Sequence, residues 1–129
     1  ITDATSIIIA PSNPLVSIKP IIEIPQLKEI LRRNKKKVVS VSPLIDGKAV
    51  KGPTRKMLTQ LGIKPNSFSC MQLYKDICQA FILDSSDKSL EEQFKVLNQK
   101  SIFTNTLMTS LVDKRRLAKF IIDLRIDCF

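Results

Sequence analysis

Histidine is absent from these 129 residues. That absence removes zinc sites, Cys–His nucleophile pairs and Ser–His–Asp triads from the chemistry this chain can assemble by itself. Cysteine is scarce: Cys70, Cys78 and Cys128 make an odd count with no CxxC pair. A disulfide framework is therefore not expected, and reduced thiols in a cytoplasmic protein are. Tryptophan is missing and aromatics are only 5% of residues. The one dense cationic run, Arg32-Arg33-Asn34-Lys35-Lys36-Lys37, has no aromatic interleaved with it. It does not read as a stacking platform for single strands, and cations at a helix end are ordinary dipole partners. No apolar stretch is long enough to span a bilayer.

What is present reads as one small globular domain, 43% hydrophobic and 26% charged. The net charge of +9 comes from 21 basic and 12 acidic residues. Such a balance fits anionic small molecules, nucleic acid through phosphate neutralisation, or simply solvated lysine-rich faces. The first residue is Ile1 rather than Met and stands almost directly before a strand. That start reads as the middle of a fold, so a piece of a longer protein is expected.

The pattern of elements is α/β. Ser6-Ile7-Ile8-Ile9-Ala10 is a continuous apolar strand of the kind buried in a parallel sheet. Pro11, Pro14, Pro20 and Pro25 punctuate a long ordered loop, and Pro25 suits the first position of a helix with Leu27, Ile30 and Leu31 on one face and Asn34 at its end. A second strand runs from Val38 to Ser42. Gly52-Pro53 opens a helix with Met57, Leu58 and Leu61 facing the core, Gly62 past its end and Pro65 preventing continuation. Asn66 or Ser67 caps a helix carrying Phe68, Met71, Tyr74 and Ile77, and Tyr74 is expected to pack with its hydroxyl hydrogen-bonded. Ala80-Phe81-Ile82-Leu83 is a third strand. Ser89-Leu90-Glu91-Glu92 reads as a capping box before Phe94 and Leu97, and Ser101-Ile102-Phe103-Thr104 as a fourth strand. Asp113 is expected to cap a last helix striped by Leu117, Phe120, Ile121 and Leu124. This alternation predicts a mostly parallel sheet with helices on both faces, Rossmann-like, here part of a domain.

In open α/β sheets ligands bind beyond the carboxyl ends of the strands. Residues 11–20, 42–52, 84–87 and 105–110 fall there, and the first two segments hold the most unusual chemistry. Ser12 and Asn13 offer a hydroxyl and an amide to a phosphate or ring edge, or else form a capped turn. Lys48 and Lys51 flank Ala49-Val50, and Lys51 precedes Gly52-Pro53, where free N–H groups at a helix start attract anions, or else is a solvated loop lysine. The P-loop pattern GxxxxGK[ST] is absent. Asp46 reads as a turn residue, and Asp84 as a weak candidate for a metal after a strand.

Two longer motifs carry a resemblance. Ala10-Pro11-Ser12-Asn13-Pro14-Leu15-Val16-Ser17-Ile18 and Val41-Ser42-Pro43-Leu44-Ile45-Asp46-Gly47-Lys48-Ala49-Val50-Lys51-Gly52-Pro53 resemble the APSNP-x-x-SI and SP…KGP motifs of the 2-phospho-L-lactate transferases. Phe81-Ile82-Leu83-Asp84 and Thr104-Asn105-Thr106-Leu107-Met108 match that family's shorter stretches in order and spacing. The resemblance implies an enzyme of deazaflavin coenzyme biosynthesis. It would move a phospholactyl or phosphoenolpyruvyl group from a guanosine-diphosphate-linked donor to the deazaflavin precursor, with GMP leaving and Mg²⁺ assisting. The implied substrate-binding positions are Ser12, Asn13, Pro14, Ser17, Ser42, Gly47, Lys51 and Gly52. The implied partners are the deazaflavin precursor and the GDP-linked donor, with a homodimer as the oligomeric expectation and no nucleic acid or membrane.

The resemblance covers the C-terminal part of the enzyme, less than half of it. The Gly-rich nucleotide loop, the acidic metal ligands and the main catalytic residues are expected upstream of Ile1, so no metal ligand is assigned here and the chain alone is expected to be inactive. Lys19 replaces the family's usual glycine and would be strained if the backbone there needed positive φ. Asn105 replaces its usual aspartate and cannot supply that charge. The alternative is a non-catalytic nucleotide- or UDP-sugar-binding regulator of the related gluconeogenesis-factor type. A nucleic-acid-binding fragment has only the charge in its favour.

Overall fold

The computed structural model describes residues 1, 3–49 and 52–124. Lys51, Val50 and Cys128, singled out in the sequence, lie outside the described residues.

The main sheet has four strands, all parallel, in the order β1 (Ile7–Ile9), β2 (Val38–Val41), β5 (Ala80–Asp84), β6 (Lys100–Thr104). β2 and β5 are buried along their whole length. That is why both read as nearly continuous apolar runs rather than alternating ones, with Ser40 inside β2 and Asp84 at the end of β5. On β5 the side chains still alternate between two cores. Phe81 and Leu83 join one cluster with Leu58, Cys70, Met71, Tyr74 and Phe94. Ala80 and Ile82 join the other, with Val39, Val41, Leu117 and Ile121. Thus α2 (Pro25–Arg33), α3 (Thr54–Gln60), α4 (Ser67–Gln72) and α5 (Glu91–Val96) cover one face, and α6 (Leu111–Asp123) covers the other. The expected helices on both faces of a parallel sheet are present. The order of strands also places all four carboxyl ends on one edge.

Most element assignments follow from local chemistry. Pro25 starts α2, Ile24 before it is extended (φ −60, ψ 117), and Asn34 ends the helix, its side-chain amide donating to Ile30 O at 2.8 Å. Asn66 caps α4 by accepting from Ser69 N at 2.8 Å. α6 carries Leu117, Phe120, Ile121 and Leu124 inward, as its periodicity predicts.

Several expectations are corrected. Ser110, not Asp113, is the N-cap of α6; Asp113 sits three residues in and completes a reciprocal capping box. No capping box forms at Ser89. The chain already coils through a 3₁₀ segment, Ser85–Leu90, capped by Asp84, so Ser89 lies inside a helical run rather than at its start. Leu61 is 62% exposed, because α3 stops at Gln60 and Gly62 turns the chain away at φ +71. Leu97 is likewise exposed just past the end of α5. Tyr74 is buried in the core, but its hydroxyl has no partner among the described residues.

Two elements were not anticipated. Leu44–Ile45 (β3) and Lys48–Ala49 (β4) form an antiparallel hairpin. Its turn, Asp46-Gly47, has positive φ at both positions (50 and 66), the geometry of a type I′ turn. A side chain at Gly47 would also meet Pro65 O at 3.1 Å. The segment after β1 is not a loop but a π-helical turn, Pro14–Ile18, running into α1 (Lys19–Ile22).

Candidate functional site

A cleft of about 460 Å³ opens at the carboxyl edge of the sheet, where the loop geometry of α/β folds directs ligands. Its walls come from three segments. After β1 stand Ser12, Asn13 and Ser17; after β2 stand Ser42, Gly52 and Thr54; after β6 stand Thr106 and Met108, with Lys114 from the start of α6. The first two segments are the leading candidates of the sequence, and the fold brings them together.

Asn13 builds the first wall. Its side-chain oxygen accepts from Leu15 N at 2.9 Å and Val16 N at 3.2 Å, while its backbone oxygen accepts from Ser17 N and Ile18 N, each at 3.1 Å. The bond from Ile18, five residues on, makes the turn a π-turn, a rare conformation that recurs at functional sites. Of the two readings left open, Asn13 therefore takes the capped turn for its oxygen. Pro14 is buried at the first position of that turn and does not line the cleft. Ser12 and Ser17 do line it. Lys19 has φ −53, so no strain arises from a side chain there.

Ser42 is only 2% exposed. It accepts from Leu44 N at 3.1 Å, and both acceptors within reach of its proton, Ser67 Oγ and Leu44 O, lie inside the protein at 3.1 Å. Ser42 thus has no proton to spare for a ligand and holds the loop instead. Gly47 is engaged in the hairpin turn against Pro65 and is absent from the cleft wall. Gly52 does line the cleft, at φ +74. The helix after it has only seven residues and Pro53 provides no side-chain cap, so its contribution is the Thr54 hydroxyl more than a strong dipole.

Charge near the cleft is positive. Lys114 is the one cation among the described residues that line it. A shallow depression on the other side of Gly52 and Pro53 is lined by Lys48, Arg55 and Lys56. Lys48 pairs with Asp46 only at 3.6 Å, with both side chains well exposed, so the pair neutralises little.

The two aspartates after β5 turn inward. Asp84 Oδ2 accepts from Thr106 N at 2.8 Å and Thr106 Oγ1 at 3.2 Å, and Oδ1 accepts from Ser86 N and Oγ. Burial pushes its pKa up, but these bonds outweigh that and hold the carboxyl below its ordinary value. Asp87 is 4% exposed and accepts from Ser67 Oγ at 2.6 Å. For Asp87 burial wins and its pKa is raised. Neither carboxylate lines the cleft. Asn105 is spent on a local turn, accepting from Leu107 N at 3.0 Å. Among the described residues no three His, Cys, Asp or Glu side chains converge as a metal site would require. With Asp84 and Asp87 committed to protein donors, these residues do not fit a Mg²⁺ centre.

Thr54, Thr106, Met108 and Lys114 were not singled out in the sequence as site residues. Thr106 and Met108 stood in a recognised motif at a strand end. Lys114 carried no motif; the Ser110 cap fixes the register that places it.

No helix among the described residues is long and apolar enough to cross a membrane. The family model described as 2-phospho-L-lactate transferase CofD matches residues 1–121. The 2-phospho-L-lactate transferase of Methanococcoides burtonii is 41% identical over 118 residues, covering 92% of this chain and 38% of the relative. Those of Methanosarcina acetivorans and Methanocaldococcus jannaschii are 37% and 38% identical, over 92% and 95% of this chain and again 38% of each relative. The chain thus spans well under half the length of these relatives. On the extent of the family match, it belongs to the 2-phospho-L-lactate transferase CofD family.

Proposed function

We propose that this chain supplies one part of the substrate cleft of a transferase in coenzyme biosynthesis. The reaction moves a phospholactyl or phosphoenolpyruvyl group from a GDP-linked donor to the hydroxyl of the deazaflavin precursor. A new phosphorus–oxygen bond forms to the acceptor, and the bond to the departing GMP breaks. The observation that carries this reading is the convergence of the two family-like motifs on one cleft flanked by cations.

Each lining residue then has a task. The Ser12, Ser17 and Thr54 hydroxyls are donors for phosphate oxygens, and Lys114 offsets charge that develops on the transferring group; the Thr106 hydroxyl gives its proton to Asp84 and holds its wall in place. Val16, Ile45 and Met108 give an apolar wall for a flat ring. Asn13 holds the first wall in shape. Mg²⁺ is the proposed cofactor on the family resemblance alone; no step is assigned to it here.

The test is an assay of the gene's product with Mg²⁺, deazaflavin precursor and guanylylated phospholactate, following GMP and the new phosphodiester by chromatography. Formation of both establishes the transferase. Nucleotide binding without turnover transfers the weight to the regulatory relative. Binding that collapses steeply with salt and ignores the nucleotide base points to phosphate-backbone attraction instead.

A further inference from the structure

We propose that Asp84 and Asp87 are positioning residues that hold opposite walls of the cleft from behind, although neither lines it. The proposal rests on the reading of the cleft as the ligand site. Asp84 ends β5 and Asp87 lies on the 3₁₀ segment that follows it, and β5 stands in the middle of the sheet between β2 and β6. Asp84 reaches toward β6: its Oδ2 takes both the backbone N–H and the hydroxyl of Thr106. Asp87 reaches toward β2: it takes the Ser67 proton, Ser67 can take that of Ser42, and Ser42 takes Leu44 N–H. One carboxylate therefore fixes the wall after β6, and the other fixes the wall after β2 together with its hairpin.

The chemistry favours a carboxylate over an amide at Asp84, whose two oxygens serve four protein donors, because an asparagine has a single acceptor oxygen beside an NH₂ that would face two of them. At Asp87 one oxygen accepts the Ser67 proton at 2.6 Å, and an amide nitrogen in its place could not. A donor left without an acceptor in a buried setting forces the wall to shift. The three-residue spacing places Asp84 at the cap of one short 3₁₀ segment, Ser85–Leu90, and Asp87 inside it, at a fixed separation. The spacing of the two walls is thus set by a segment that need not touch the ligand.

The experiment uses the ¹⁵N-labelled chain and GMP as the probe. Asp87→Asn is expected to displace the amide resonances of Ser42 and Leu44 while leaving Thr106 and Met108 in place. Asp84→Asn is expected to do the reverse. Ser67→Ala, which keeps the carboxylate and cuts the chain one step later, should move Ser42 and Leu44 as Asp87→Asn does, and it serves if that variant fails to fold. Each variant should weaken GMP by about tenfold, the scale of one buried hydrogen bond lost from a wall. Asp87→Asn should do so without a matching drop in thermal midpoint at neutral pH, which a merely structural role does not allow. Displacements confined to residues 84–90, or GMP affinity unchanged in folded variants, would overturn the proposal. Failure of the unaltered chain to bind GMP would count against the reading of the cleft; the amide displacements alone would then decide the positioning.

Discussion

The side-chain nitrogen of Asn13 lies 3.5 Å from the sulfur of Met57, joining the turn after β1 to α3 across 44 residues of sequence. The same side chain caps the π-turn through its oxygen. Both ends of one amide are thus committed, one to local backbone and one to the opposite segment. Asn13→Ala should cost about 1 kcal/mol, the usual worth of a side-chain cap. Asn13→Asp, which keeps the acceptor, should recover most of that loss. Urea unfolding of the two variants checks the difference.

Acid should act on the two buried-side aspartates with opposite sign. The pKa of Asp84 is lowered on folding, so its contribution is present above the unfolded value of about 3.9 and is lost as pH falls through the folded value. The pKa of Asp87 is raised, so its protonated form is favoured in the fold and its contribution shrinks as pH rises through the folded value. The stability gap between wild type and Asp84→Asn should therefore close on acidification. The gap for Asp87→Asn should move toward the variant as pH rises from 3 to 7, on the order of those carboxylate pKa values. Thermal midpoints across that range measure both.

Burial pushes the thiols of Cys70 and Cys78 up to about 12. Thiolate, not thiol, is the nucleophile, so both should resist modification in the native state. In a Cys128→Ser background, a thiol reagent at pH 8 should label neither cysteine until denaturant is added. Rapid labelling of the folded protein would contradict the buried positions.

Tyr74 and Leu58 offer contrasting core tests. Tyr74 buries a hydroxyl with no partner among the described residues, and burial together with the nearby Cys70 and Cys78 raises its pKa. Tyr74→Phe should be neutral or stabilising by up to about 1–2 kcal/mol, since it removes a desolvated polar atom and keeps the ring. Leu58 is fully buried in the same cluster, and Leu58→Ala should cost about 2–5 kcal/mol.

Lys19 stands in α-helical geometry at the end of the π-turn. Lys19→Gly, the reversion toward the family's usual residue, should therefore destabilise by roughly 0.5–1 kcal/mol through backbone entropy rather than relieve strain. A gain in stability would show that φ at this position differs from −53.

The strands were legible because burial on both faces leaves β2 and β5 with no polar interruption except Ser40, and their unbroken run is the signal. Pro25 and Asn34 marked α2 through fixed local chemistry. The hairpin was legible too, since Asp46-Gly47 between Leu44-Ile45 and Lys48-Ala49 is a strong turn signal, but the surrounding lysines drew the reading toward a ligand loop. Ser89 misled because its motif is local, whereas the helical run had been started five residues earlier by Asp84. The burial of Asp87 could not be read at all. Its partner Ser67 is 20 residues away, and only the packing of α4 against the 3₁₀ segment Ser85–Leu90 brings the two together. Of the positions expected to bind substrate, Ser12, Asn13, Ser17, Ser42 and Gly52 stand at the cleft wall, while Pro14 and Gly47 do not.

The all-parallel order of the main sheet has a kinetic consequence. Every pairing in it joins distant residues; even Ala80 and Lys100, on the pair of strands nearest in sequence, are twenty positions apart. Loop-closure entropy must therefore be met before any rung of the sheet forms. Among the described strands, only β3 and β4 can pair locally, across Asp46-Gly47. The small hairpin beside the cleft is the piece of sheet free to form early, and the larger one must wait for chain collapse to bring its strands within reach.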